Sequence, residues 1–260
     1  HRGEHASNLG GLIADKIAEK AGVKSYIVDP VAVDEFEDIA RISGIPQIER
    51  ISLGHALNVK AVGRKAAKEL GKGLDEVNLI VAHIGGGISI CPLRKGKAID
   101  YNNANEMGPF SPERTGGLPC GDLVKLCFSG KYTLAEMKKK ISGKGGLVAY
   151  LGTNDAREVQ KLIDAGDEKA KLIFSAMAYQ IAKEIGQMAT VLKGEVDAID
   201  MTGGDSYSEN LTNQVKEMVS FIAPYMVIPG EDEMLALAEG TVRVLNSEEK
   251  AKIYENEVKF

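Results

Sequence analysis

The chain has 260 residues, 44% hydrophobic and 27% charged, with a formal net charge of −5. That composition supports a full core, and the absence of a long basic run excludes a nucleic-acid face. No apolar stretch approaches the roughly 18 residues that cross a bilayer. The three cysteines lack C-x-x-C spacing, which argues against a disulfide framework or thiolate zinc cluster and for a reducing, cytoplasmic setting.

In chain order the pattern alternates helix and strand. Residues 7–21 read as a helix carrying Leu9, Leu12, Ile13 and Ile17 on one face, and SYIVDP follows as a short buried strand ending at Asp29. Asp34 and Glu37 have the spacing of a capping box that opens a second helix through Ile42. Residues 55–70 form an Ala- and Lys-rich helix stopped by Gly71. NLIVAHIG, ISICPLR and KAIDYNN then read as three strands joined by short turns, an antiparallel meander. Helical patterns follow at 123–128, 134–141, 156–165 and, longest, 169–193, with Lys138–Lys140 as a solvated helix face. VDAIDMTGG is a strand ending in a glycine turn, 209–222 a helix, YMVIPG a last strand and 234–245 a last helix. The fold class is α/β with a mixed sheet.

Four places could carry chemistry. Gly85–Gly87 lie between two apolar strands, where glycine backbone can approach a phosphate closely or simply make a flexible turn. The triplet opens a strand, so it is neither a Rossmann fingerprint nor a P-loop. MTGGDSYSE is a strand-to-helix turn whose free N–H groups suit an anion or a ribose hydroxyl. GPFSPERTGGLPCGD is a long irregular segment with Arg114 at its middle. PGEDEMLALAEG sets three carboxylates at a helix entrance, favourable to the helix dipole and able to hold Mg²⁺. His55 and His83 sit beside these segments, and no metal-type histidine spacing occurs.

Taken in order, HIGGGIS, MTGGDSYSE, FSPERTGGLPCGD and PGEDEMLALAEG resemble the acetate and butyrate kinase family, with GEHASNLG, YIVDPV and GPFSPER closest to its butyrate kinase branch. The resemblance implies the two-domain fold of the acetate kinase, sugar kinase, heat-shock and actin superfamily, and transfer of the ATP γ-phosphate to a short-chain carboxylate with Mg²⁺. It places His55, Arg114 and Asp29 in the catalytic centre. His83 and Gly85, Gly86 and Gly87 fall at the nucleotide phosphates, and Gly203, Gly204 and Asp205 at adenosine. His5 falls near the carboxylic acid substrate and Glu233 at the metal, with Glu231 and Asp232 as alternative matches.

Two departures accompany the match. Gly86 stands where acetate kinases have Asn, and their loop arginine aligns nearer Pro119 than Arg114. The resemblance also implies that the sequence starts inside the first domain, without the family's N-terminal phosphate turn. Residues 1–33 and 234–260 would then belong to domain one and 34–233 to the nucleotide-binding domain, with a homo-oligomer as the assembly. A nucleotide-binding module without kinase activity is the alternative reading. A sugar kinase lacks support because no D-x-G-type sugar string occurs.

Overall fold

A computed structural model describes residues 9–31 and 33–253. At its centre is a five-stranded mixed sheet of β1 (Asn78–Ile84), β2 (Ile88–Arg94), β3 (Lys97–Ala98), β4 (Ala198–Thr202) and β5 (Tyr225–Val227), in the order β3-β2-β1-β4-β5. The first three strands are antiparallel neighbours, as the short turns between them require, whereas β4 and β5 run parallel to β1. The expected mixed α/β sheet is present.

Both faces of the sheet are buried, so the strands read as unbroken apolar runs. The pleat separates them by parity. Ile80, Ala82, Ile84, Ile88, Ile90, Ile199 and Met201 join one cluster, while Leu79, Val81, Cys91, Leu93 and Ala198 join the other.

The first cluster is closed by the 24-residue helix α8 (Glu168–Val191). Its buried residues Phe174, Met177, Ala178, Ile181 and Ile185 recur at helical spacing, and Asp167 caps its start by accepting from the Ala170 N–H. Two further helices, α7 (Ala156–Asp164) and α9 (Glu209–Val219), pack on α8.

The second cluster is closed by α3 (Ala56–Glu69), which buries Val59, Val62, Ala66 and Ala67. Gly63 lets this helix approach the sheet, because a Cβ there would lie 2.7 Å from a Leu93 methyl. The remaining helices are α1 (Leu9–Ala21), α2 (Asp38–Arg41), α4 (Cys120–Cys127), α5 (Leu134–Ile141), α6 (Gly146–Leu151) and α10 (Glu233–Leu245). Helix α10 lies against α3 and, through Gly240, against Val28.

Three sequence expectations need correction. Residues 25–30 form no ladder, because a strand needs a neighbour to exchange hydrogen bonds and none of the described residues supplies one. Asp34 does not cap a helix through Ile42. Its two oxygens take the Arg41 guanidinium, each at 2.7 Å, and α2 is a single turn. KAIDYNN contributes only two strand residues, since the Asn102 side chain bonds the Ile90 N–H (2.8 Å) and the Ile88 carbonyl (2.7 Å) in place of a backbone ladder. The apolar face of α1, with Leu12 and Ile17, is exposed among the described residues. No described helix is long and apolar enough to cross a membrane.

Candidate active site

The parity that builds the core also builds the site. On the α3 side of the sheet the sequence from Leu79 and Val81 ends in His83, β2 begins with Ser89, and β4 ends in Thr202. The register sets Ser89 opposite His83 and His83 beside Thr202. A row of three buried polar side chains therefore crosses the sheet at the carboxyl ends of β1 and β4, the end where open α/β sheets bind ligands.

His55, immediately before α3, stacks on His83 with ring centroids 3.8 Å apart and planes inclined by 13°. Its Nδ1 lies 2.9 Å from Ser89 Oγ. From the next turn of α3, Asn58 sets Oδ1 2.9 Å from His83 Nδ1 and donates through Nδ2 to the Gly230 carbonyl at 3.4 Å. The same carbonyl accepts from Thr202 Oγ1 at 3.2 Å. Gly203 and Gly230 exchange backbone hydrogen bonds, which draws the segment after β5 alongside the end of β4. Gly203 has φ +90°, and a Cβ there would run into the Ile84 carbonyl, so this close crossing of backbones requires glycine. Glu231 then reaches His83 Nε2 at 3.2 Å, and burial opposes but does not overcome the His83 hydrogen bond that holds its carboxyl below the usual range.

The triglycine turn closes beside this group, with the Gly85 N–H donating to the Gly87 carbonyl at 3.2 Å. Ser111 Oγ donates to the Gly86 carbonyl at 2.6 Å and so ties the 108–117 segment to the turn. That tie lays the Arg114 guanidinium over Gly87, where a Cβ would be 2.8 Å from Cζ and closer still to Nη1. Arg114 donates to the Ala104 carbonyl at 3.0 Å, while its buried Nε has no protein partner. Burial lowers its pKa, yet a guanidinium stays charged, so it is a desolvated cation with unused donor capacity.

Beyond the turn an open cleft of about 1000 Å³ runs between the start of α7 and the 3-10 turn Gly204–Tyr207. Asp205 lines it, with Oδ2 buried and unpartnered, and burial first, then the nearby Asp155 and Glu231 charges, push its pKa up to about 6. Asp155, Arg157 and Gln160 form the facing wall.

Of the other residues singled out by sequence, Asp29 adopts φ +40° and faces Lys60 and Arg64, each 3.7 Å away, along the flank of α3. Desolvation raises its pKa against those two cations. Among the three acids at the start of α10, Glu231 is engaged by His83 and Asp232 by Lys65 at 2.9 Å. Glu233 opens α10 and lines a small pocket with Asn58, Lys65 and Gly230. No group of three or more His, Cys, Asp or Glu among the described residues is placed to hold a metal by itself. His5 lies outside the described residues.

Sequence reasoning missed Asn58, Ser89, Ser111 and the wall at Asp155–Gln160. Ser89 was readable from strand parity, and Asn58 from its position three residues after His55.

A profile described as the Acetokinase family matches residues 52–255. The chain is 60% identical over 252 residues to a probable butyrate kinase 2 of Caldanaerobacter subterraneus subsp. tengcongensis, covering 97% of this chain and 71% of that protein. It is 59% identical over 254 residues to butyrate kinase 2 of Clostridium acetobutylicum, with the same two coverages. The crystal structure of Porphyromonas gingivalis acetate kinase superposes with a TM-score of 0.81 at 23% identity, over 92% of this chain and 68% of that one, and so shares the fold. With two stacked imidazoles beside a glycine turn and this similarity to those relatives, the chain belongs to the acetokinase family.

Proposed function

We propose that the chain transfers the γ-phosphoryl group of ATP to the carboxylate of a short-chain fatty acid such as butyrate, giving an acyl phosphate. The observation that carries this reading is the Arg114 guanidinium lying on the triglycine turn with a buried, unpartnered Nε. A carboxylate is already an adequate nucleophile, so the chemical problem is bringing two anions together and holding them in line. The backbone of Gly85–Gly87 approaches the phosphates without side-chain obstruction, and Arg114 meets the equatorial oxygens of the transferring group from one side of the turn. His83 and the stacked His55 line the other side. Adenosine occupies the cleft beside Gly203, Gly204 and Asp205.

The donor set fits Mg²⁺ in the way that ion is ordinarily bound, by one or two protein carboxylates plus substrate phosphates and water. Glu233, which makes no ion pair with the described residues, would hold it, and when bound it would neutralise charge on the ATP phosphates. Two exposed free thiols, Cys120 and Cys127, suit a reducing cytoplasm.

Butyrate, ATP and Mg²⁺ should yield a butyryl hydroxamate when hydroxylamine is present as trap. Arg114→Ala should lower kcat by the 3–4 kcal/mol of barrier typical of a lost transition-state donor, about 3 orders of magnitude at most, with a smaller change in KM for ATP. Nucleotide binding without hydroxamate, across several short acids, would refute the reading and leave a nucleotide-binding module.

A further inference from the structure

The Gly86–Gly87 peptide joins two residues that lack a Cβ, so its plane can turn over by opposite rotations on either side at little steric cost. The turn is closed by the Gly85 N–H donating to the Gly87 carbonyl, and the Gly87 N–H has no acceptor among the described residues. The peptide is trans, so its C=O and N–H point in opposite directions. One orientation offers an anion at the turn an N–H group. The other offers it a carbonyl oxygen.

The choice is made from outside the turn. Ser111 Oγ lies 2.6 Å from the Gly86 carbonyl oxygen, which can only accept, so the hydroxyl proton points at it. The same Oγ accepts from the Arg114 N–H at 3.1 Å, which leaves its single proton to the Gly86 carbonyl. The serine itself is fixed. Its N–H donates to the Arg114 carbonyl at 3.0 Å, its carbonyl accepts from the Leu147 N–H of α6 at 3.3 Å, and only 1% of its surface is exposed. Gly146 packs so closely on that carbonyl that a Cβ would overlap it.

We propose that the Ser111 hydroxyl locks the Gly86–Gly87 peptide with its carbonyl turned toward the 108–117 segment and its N–H offered to a phosphate oxygen, making Ser111 a positioning residue for phosphoryl transfer. The inference rests on the phosphoryl-transfer reading of the site and adds to it a residue that acts through the turn backbone. One hydroxyl aligns a backbone dipole and also seats the main chain from which the Arg114 guanidinium reaches over Gly87. Without that hydroxyl the peptide is free to turn over and aim the negative end of its dipole at the phosphates.

The test is NMR of the full chain labelled with [1-¹³C, ¹⁵N]glycine, in which carbonyl-to-nitrogen correlations select glycine–glycine peptides. The Gly86–Gly87 signal is identified by its loss in Gly87→Ala. Ser111→Ala should move the Gly86 carbonyl carbon upfield, as loss of a hydrogen bond does. ATP and Mg²⁺ without a carboxylic acid should move the Gly87 N–H proton downfield in the wild type, and less at saturation in Ser111→Ala. In the hydroxamate assay Ser111→Ala should lower kcat about 10- to 100-fold, between the loss of an ordinary hydrogen bond and that of an oriented transition-state donor, with less change in KM for ATP. A Gly86 carbonyl signal unmoved by Ser111→Ala overturns the proposal, as does wild-type kcat in that variant. So does a wild-type Gly87 N–H that ATP leaves in place while the Gly203–Gly204 signal moves. The carbonyl signal is read without nucleotide or turnover, so failure of the lock is distinct from failure of the kinase reading, in which the wild type forms no hydroxamate.

Discussion

Gly87→Ala is a direct test of the site because it moves one group and little else. Gly87 is not in the left-handed backbone region, so alanine can adopt its conformation without strain. The added methyl would lie 2.8 Å from Arg114 Cζ, against the 3.5–4.0 Å of an ordinary carbon contact, so the guanidinium must retreat by roughly 1 Å. The atoms that must yield belong to the far end of a flexible side chain, which makes the cost to folding small. The cost to catalysis is large, since a displacement of about 1 Å at a transferring group is worth on the order of 100-fold in rate. Urea denaturation should show a near wild-type midpoint, while hydroxamate formation falls by about 100-fold in kcat. Gly87→Ala combined with Arg114→Ala should be slower than Arg114→Ala alone by much less than 100-fold, because most of the methyl's effect passes through the guanidinium. A Gly87→Ala enzyme with wild-type kcat would remove Arg114 from the mechanism.

Two stability predictions follow from other features. Asp200 is fully buried on β4 with both oxygens unpartnered, and burial first, then the Glu69 charge, raises its pKa from 3.8 to about 7. The folded state keeps a proton that the unfolded state has released, so stability is highest below about pH 4 and is lost as pH rises to 7, by up to about 4 kcal/mol at 1.36 kcal/mol per pH unit. Urea midpoints for Asp200→Asn should lack that component of the fall between pH 5 and 8, and parallel curves for the two proteins would refute the assignment. Gly203→Ala should destabilise the fold by about 1–3 kcal/mol, since it adds a left-handed non-glycine residue and a clash with the Ile84 carbonyl; an unchanged thermal midpoint would show that the crossing at Gly230 tolerates separation.

Much of this was legible from the residues, and the failures have physical causes. The meander could be read because three-residue and two-residue turns leave antiparallel pairing as the only short route back. The long helix α8 carried its own periodicity and cap. Residues 25–30 have strand composition, yet a ladder is a property of two segments and no composition reveals whether the second is there. Asp34 and Glu37 have capping-box spacing, but a bidentate arginine seven residues on offers the Asp34 carboxylate more than a helix N-terminus does. The glycine turn and Arg114 were picked out separately, whereas their contact depends on Ser111 binding a carbonyl 25 residues away, which local reasoning does not reach. Glu231 was only one of three adjacent acids until the Gly203–Gly230 pairing showed which of them turns toward the histidines.

The distribution of charge also bears on the proposed role of Arg114, a framed guanidinium in place of a surface lysine. Two anions must meet, so positive charge is needed, but mobile ammonium groups would be screened by water and would have to be ordered at each turnover. Arg114 is held in place by the Ala104 carbonyl. Its desolvation is offset by that partner only in part, and the residue of that imbalance is visible as the unpartnered Arg114 Nε. In the proposed reading, a phosphoryl oxygen arriving at the turn would complete the donor's coordination, so the free energy of satisfying the half-buried guanidinium would become available where the transferring charge develops. Glu113, beside Gly86 and tethered by Asn154 at 3.3 Å, and Glu231, beside Gly85, oppose an uncomplexed anion at the same turn. In the proposed reading the arrangement would therefore discriminate by position: an oxygen over Gly87 would meet the guanidinium, and one displaced toward Gly86 would meet the Glu113 carboxylate.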